Sequence, residues 1–200
     1  MKTLILVMTV LISALTYASF KKGNGGNAIY CPDSAWQILD SYETEHVLFL
    51  KKDTSLDHID FQKLIIERIK SISPQLARSY TEHLALLPRQ SRWLTNIDLG
   101  PVSDSFHFVF PKDCHLRQVA IQTADVYLFQ TEIWDQLSGF EKNVLLTHEL
   151  VYRALSHYLN LENSRPVRAL VGLLISVDFK TLSPAQRLAF IKKHQIQLPD

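Results

Sequence analysis

His148 and Glu149 are the residues best placed to do chemistry. A helical imidazole followed at once by a carboxylate can hold a metal ion and activate its bound water, if a second imidazole comes one turn later. Tyr152 stands at that place. A lone imidazole cannot hold catalytic zinc, which takes three protein ligands and keeps one position open. His157 does not complete the set, because nine steps of ~100° carry it to the opposite side of the helix. On the same wheel His148 falls among Val151, Tyr152, Leu155 and Leu159, while Glu149, Arg153, Ser156 and Asn160 share a polar arc. The expectation is a neutral imidazole turned into the core and hydrogen-bonded to a carbonyl or a side chain. Glu149 and Arg153 are expected at the edge or in solvent as an i,i+4 ion pair, worth a few tenths of a kcal/mol.

A second polar cluster follows in Asn163-Ser164-Arg165-Pro166-Val167-Arg168. Arg165 and Arg168 fall in the first turn of a helix, where the macrodipole disfavours cations. Something acidic must compensate them: Glu149 or Glu162 from within, or a small anionic ligand. The candidate catalytic residues are thus His148, Glu149 and Arg153, and the candidate binding residues are Tyr152, Arg165 and Arg168. His107 and His115 could join His148 around a metal only if the fold brings all three together. There is no Gly-x-Ser-x-Gly elbow, and no cofactor is indicated.

The chain that must position these groups opens with Met1-Lys2, an apolar run from Leu4 to Leu15, and Thr16-Tyr17-Ala18. This reads as a signal peptide over residues 1–18, with small side chains before a cut after Ala18. The run is too short to span a bilayer, which needs about 20 helical residues, so no stable membrane anchor is expected after cleavage. Residues 19–27 read as a flexible glycine-rich segment and 28–200 as one globular domain. The chain has 21 basic and 20 acidic residues, and the leader carries Lys2 and no acid, so the remainder is balanced. That leaves no electrostatic footprint for nucleic acid. Partners narrow to a small anionic ligand or another protein. Cys31 and Cys114 are the two cysteines, and in an oxidising compartment they can pair only with each other within one chain. The alternative is two free buried thiols.

Periodicity predicts a helix from Pro32-Asp33-Ser34 to about Leu50, and a second from Leu56 to Ile72. A third is capped by Ser73, opened by Pro74 and stopped at Pro88. Short strands are predicted at Ala28–Cys31, Phe106–Phe110, Gln118–Gln122 and Val126–Phe129, followed by a short turn capped by Thr131. Ser138 and Glu141 have the spacing of a capping box for a helix to about Leu161. Ser164 and Ser183 open two more, ending near Ser176 and His194. The class is α+β: a mostly helical single domain with a small, mainly antiparallel sheet.

Three groups of residues carry a resemblance. Gly23-Asn24-Gly25-Gly26 precedes Cys31-Pro32-Asp33-Ser34; Phe110-Pro111-Lys112-Asp113-Cys114 precedes Gln118-Val119-Ala120-Ile121; and His148-Glu149-x-x-Tyr152-Arg153 precedes Asn163-Ser164-Arg165-x-Val167-Arg168. In this order they resemble a family of uncharacterised exported bacterial proteins, over nearly the whole chain after the leader. The resemblance brings no activity with it. It implies that Cys31, Cys114, His148, Glu149, Tyr152, Arg153 and Arg168 belong to one shared design. A separate similarity to zinc peptidases covers one helix and fails at Tyr152. Two readings follow. One is an exported, disulfide-stapled soluble protein with a binding or structural role. The other is a degenerate zincin-like hydrolase, with His148 as metal ligand and Glu149 as general base.

Overall fold

A computed structural model describes residues 26–32, 34–55, 60–100, 110–159, 161 and 163–199. Its strands form two three-stranded sheets. In the first, β1 (Asn27–Tyr30) lies between β2 (Gln37–Ile38) and β4 (His115–Gln118), with Ala28 opposite both Ile38 and Arg117. Both pairings are antiparallel. In the second, β6 (Tyr127–Gln130) lies between β3 (Ser91–Leu94) and β5 (Ala120–Gln122). β5 is antiparallel to β6, and β3 is parallel to it. Val119 carries the chain from one sheet to the other. Its carbonyl accepts from the Gln130 amide, and its own amide donates to the Gly26 carbonyl.

Eight helices are described: α1 (Leu39–His46), α2 (Phe61–Lys70), α3 (Pro74–Gln90), α4 (Thr131–Gln136), α5 (Gly139–Ser156), α6 (Arg165–Leu174), α7 (Asp178–Thr181) and α8 (Pro184–Lys193). The α+β class is as the patterning predicts, although the sheet comes in two pieces and one holds a parallel pair. α5 is the central element and packs against α1, α3 and α6. Val144, Leu145, Leu150, Val151 and Ala154 of α5 are fully buried, as are Val167, Leu170, Val171 and Leu173 of α6.

Several boundaries differ from the periodicity, each for a local reason. The first helix begins at Leu39 rather than near Pro32, because Gln37 and Ile38 pair with β1 instead. It ends at His46, and Phe49 follows at φ 55° with 86% of its surface exposed. α3 runs through Pro88, which removes only the hydrogen bond to the Leu84 carbonyl. Strand β3 then starts at once from Ser91, in a Ser-Arg-Trp-Leu run with no apolar alternation to announce it. Gln130 rather than Thr131 stands at the cap of α4, with no side-chain bond. α5 stops at Ser156, a turn short of the predicted end. The predicted strand at Phe106–Phe110 lies outside the described residues, save for Phe110, which is in no strand. The caps at Ser73 and Ser183 form as predicted, each hydroxyl accepting the backbone N–H three residues on.

Two devices tie distant segments together. Cys31 and Cys114 form a disulfide joining the end of β1 to the approach to β4, so the free-thiol alternative is removed. Arg68 is buried on α2, pairs with Asp53 at 3.0 Å, and donates to the carbonyls of Leu174, the last residue of α6, and of Ser176 just past it. A cation at the negative end of a helix dipole satisfies carbonyls that have no partner within the helix.

The bridge closes a loop with a sequence separation of 83. Replacing both cysteines by serine should therefore lower unfolding stability by up to about 4.5 kcal/mol. Urea titration of the two forms checks this; equal midpoints would contradict it.

Candidate functional site

The site is built on the inward stripe of α5. Its N-cap, Ser138, accepts the Glu141 N–H at 3.2 Å, which is half of the predicted capping box. The other half does not form. The Glu141 carboxylate turns instead to the start of α1, accepting the Ile38 N–H at 2.8 Å and the Ser41 hydroxyl at 2.8 Å. Ile38 is the N-cap of α1 and has no side chain to cap with, so Glu141 supplies the acceptor that this helix end needs.

Two turns along α5, His148 meets Asp40 in the first turn of α1. His148 Nδ1 donates to Asp40 Oδ2 at 2.7 Å, and each side chain is only 1% exposed. Burial by itself pushes the imidazole pKa down. The charge of Asp40 and the hydrogen bond to it, helped by Glu149, outweigh burial and raise it to about 9. The buried position agrees with the helical wheel, and the Asp40 carboxylate beside the ring favours its protonated form over the expected neutral one. The Tyr152 ring lies nearly parallel to it, 6.4 Å away.

Glu149 corrects the sequence reading further. It is wholly buried, not at the edge. Its Oε1 accepts the Gly26 N–H at 2.6 Å, and its backbone carbonyl accepts Gln122 Nε2 at 2.6 Å. Burial drives its pKa above the carboxylate range, against the opposing pull of His148. The surface pair with Arg153 is replaced by a different arrangement. The Arg153 guanidinium lies over the Tyr127 ring, 3.7 Å from its centroid. It donates to Gln122, Gln90 and the carbonyls of Thr123 and Val126. Glu149 and Arg153 thus face the chain at Gly26 and the β5–β6 sheet, while Ser156 on the same arc is exposed.

The two arginines of α6 separate. Arg165 is exposed, while Arg168 is buried, with Nε 2.8 Å from Glu43 on α1 and Nη1 2.5 Å from the Ser164 hydroxyl. The internal carboxylate that the dipole argument requires is Glu43, not Glu149; Glu162 lies outside the described residues. Burial raises the Glu43 pKa, the nearby charge of Asp40 adds to the rise, and Arg168 offsets part of it. His115 is exposed on β4 while His148 is interior, and His107 lies outside the described residues, so the three-histidine set is not assembled. Among the described residues no group of three or more His, Cys, Asp or Glu is disposed to hold a metal ion.

Sequence reasoning missed Asp40, Glu43, Gln122 and Gly26. Asp40 and Glu43 lie one turn apart on the same face of α1, so they turn inward or outward together, and the choice depends on what covers that face. Gly26 was read as part of a tether, yet its amide is held by Glu149. Its carbonyl accepts from Val119 N, Ala120 N and Gln118 Nε2. A methyl group there would come within 2.1 Å of Leu145 Cδ1 and 2.9 Å of Glu149 Oε1. Asn27 is likewise already strand. Residues 19–25 lie outside the described ones.

A general acid or base must reach within hydrogen-bond distance of the proton it moves. The second ring nitrogen of His148 and the second oxygen of Glu149 are enclosed by protein. The arrangement can fix α1, α5, α6 and β1 against one another; it offers no open position to a substrate.

Gly26→Ala should cost about 1–3 kcal/mol through overpacking against Leu145. Asp40→Ala should cost about 3–5 kcal/mol, because it breaks a buried pair and leaves the His148 ring without its partner. Guanidinium unfolding of each variant checks these values. Costs of a few tenths of a kcal/mol, typical of surface sites, would show that these contacts do not hold the fold.

No family model, no curated protein and no solved structure matches the chain.

Proposed function

We propose that the chain is an exported, disulfide-stapled protein with a binding or structural role in the cell envelope or outside the cell. The proposal includes membership of the exported family that the glycine-rich, Cys114 and His148–Arg168 segments resemble. The observation that carries it is the use made of His148 and Glu149. The pair best suited to metal chemistry is spent inside the fold, on Asp40 and on the Gly26 amide. A hydrolase built on a zincin-like helix needs the same two side chains facing water and a metal.

The disulfide supports the compartment, since such bridges persist where the milieu is oxidising. Among the described residues no helix is long and apolar enough to cross a membrane. Most residues implied in the shared design also meet in one place. His148, Glu149, Tyr152, Arg153 and Arg168 are all buried along α5 and α6, and Cys31–Cys114 fastens the strand that begins beside Glu149.

Expression with the leader intact, fractionation and N-terminal sequencing test the export. The expected result is a protein outside the cytoplasm that begins at Ser19 and has no titratable thiol when unfolded without reductant. A chain that keeps Met1 in the cytoplasm would overturn it. Metal analysis of the same sample tests the role: stoichiometric zinc that disappears in His148→Ala would transfer the assignment to the hydrolase.

A further inference from the structure

Asp40 is the hub of an unusual concentration of buried charge. His148 is hydrogen-bonded to it, and Glu43, Glu141 and Glu149 all lie within its field. All four carboxylates are at most 8% exposed. Among the described residues, the cations in direct contact with them are His148, bound to Asp40, and Arg168, bound to Glu43. Glu141 and Glu149 are met by neutral donors, namely the Ile38 amide with the Ser41 hydroxyl, and the Gly26 amide.

Other charged groups act only from outside the cluster. Lys52 is felt by Glu141 but is paired with Glu45 at 3.0 Å. Arg165, exposed on α6, is felt by Glu43. Arg153 is felt through space across from Glu149, with its donors on carbonyls and glutamines, and Tyr127 faces Glu149 from β6. With every group ionised, the carboxylates outnumber the cations that touch them.

We infer that the α1–α5 interface is a proton-dependent clamp, closed while its buried cluster holds protons and loosened as alkali removes them. An uncompensated charge in a water-poor interior is strongly unfavourable, so the fold retains protons that an unfolded chain would release. The shifts agree in direction. Burial raises Glu141 from 4.5 to about 7, against the Ile38 and Ser41 hydrogen bonds. Glu43 and Glu149 also move up, and His148 moves from 6.5 to about 9.

A group whose pKa is raised by folding contributes stability that is complete below its unfolded value. That stability is lost as pH climbs through the folded value. Glu141 therefore loses its contribution between 4.5 and about 7, and His148 between 6.5 and about 9. His83 and His194 are shifted down by burial and act in the opposite sense, but their effect is finished once pH passes 6.5. The interval from pH 7 to 9 belongs to His148, with Glu43 and Glu149, also shifted up, acting in the same direction.

Urea unfolding of the full, disulfide-bonded chain at stepped pH tests the clamp. Between pH 7 and 9 the unfolding constant should rise by up to about tenfold per pH unit. Over the same interval the hydrogen-exchange protection of the Ile38 and Gly26 amides should fall before that of amides in α3. Glu141→Gln, which keeps an acceptor for Ile38, should flatten the slope between pH 5 and 7. An unfolding constant that is flat or falling between pH 7 and 9 would overturn the inference. So would protection lost uniformly across the chain, or an unchanged slope in Glu141→Gln. If that variant does not fold, the wild-type slope between pH 7 and 9 decides alone.

Discussion

The buried contact between Asp40 and His148 sets how α1 lies on α5, and the other contacts of α1 follow from that orientation. Taking two charges out of water costs several kcal/mol for each ion, repaid only by close contact and good hydrogen bonds. The contact is 2.7 Å, at the first turn of α1, where an acid is also favoured by the helix dipole. It defines a rotation for both helices. Once Asp40 faces His148, Glu43 comes round one turn later to face α6, where Arg168 meets it at 2.8 Å. The same rotation turns the open N-terminal amides of α1 toward Glu141. Three contacts therefore lock α1 against α5 and α6 in a single register.

That lock explains why the helical wheel was half right. It placed His148 in the apolar arc correctly, because Val151, Leu155 and the ring do share the core. It placed Glu149 and Arg153 toward solvent on the assumption that a polar arc faces water. A polar arc can equally face other polar groups, and here it meets the β5–β6 sheet and Gly26. No periodicity reports which neighbour will cover a face, because that depends on contacts such as Gly26 with Glu149, 123 residues apart. Elements governed by adjacent residues were legible, such as the Ser73 and Ser183 caps, and the distant cysteine pairing was legible because the chain has two cysteines. Other elements governed by distant partners were not: β2 exists because β1 is beside it, and Glu141 left its own helix because α1 lacked a cap.

The N-terminal segment shows the same point in a sharper form. Glycine runs read as tethers when nothing apolar accompanies them. At Gly26 the absent side chain has a different use. The backbone passes close enough to α5 for its amide to reach Glu149, while its carbonyl takes three donors from the Gln118–Ala120 turn between the sheets. Only glycine leaves room for that approach. Five residues on, the disulfide fixes Cys31 to Cys114. β1 is thus held at both ends, by a peptide group and by a covalent bond, and it is the middle strand of its sheet. A strand so placed is part of the fold's foundation although it lies directly after the glycine run.

Burial also separates the two histories that a His-Glu pair on a helix can have. In a hydrolytic site the imidazole and carboxylate converge on an open position and must tolerate water. Here they diverge: His148 reaches across to α1, and Glu149 reaches to the chain entering β1. Neither can be redirected without leaving its present partner, the Asp40 carboxylate or the Gly26 amide, unsatisfied in a dry interior. Tyr152 fits this use, since its ring packs alongside His148 at the place where a second metal-binding imidazole would stand. The helix has the outward sequence of a reactive element and the inward connections of a keystone. The chemistry of its side chains is turned to holding three helices and a strand together.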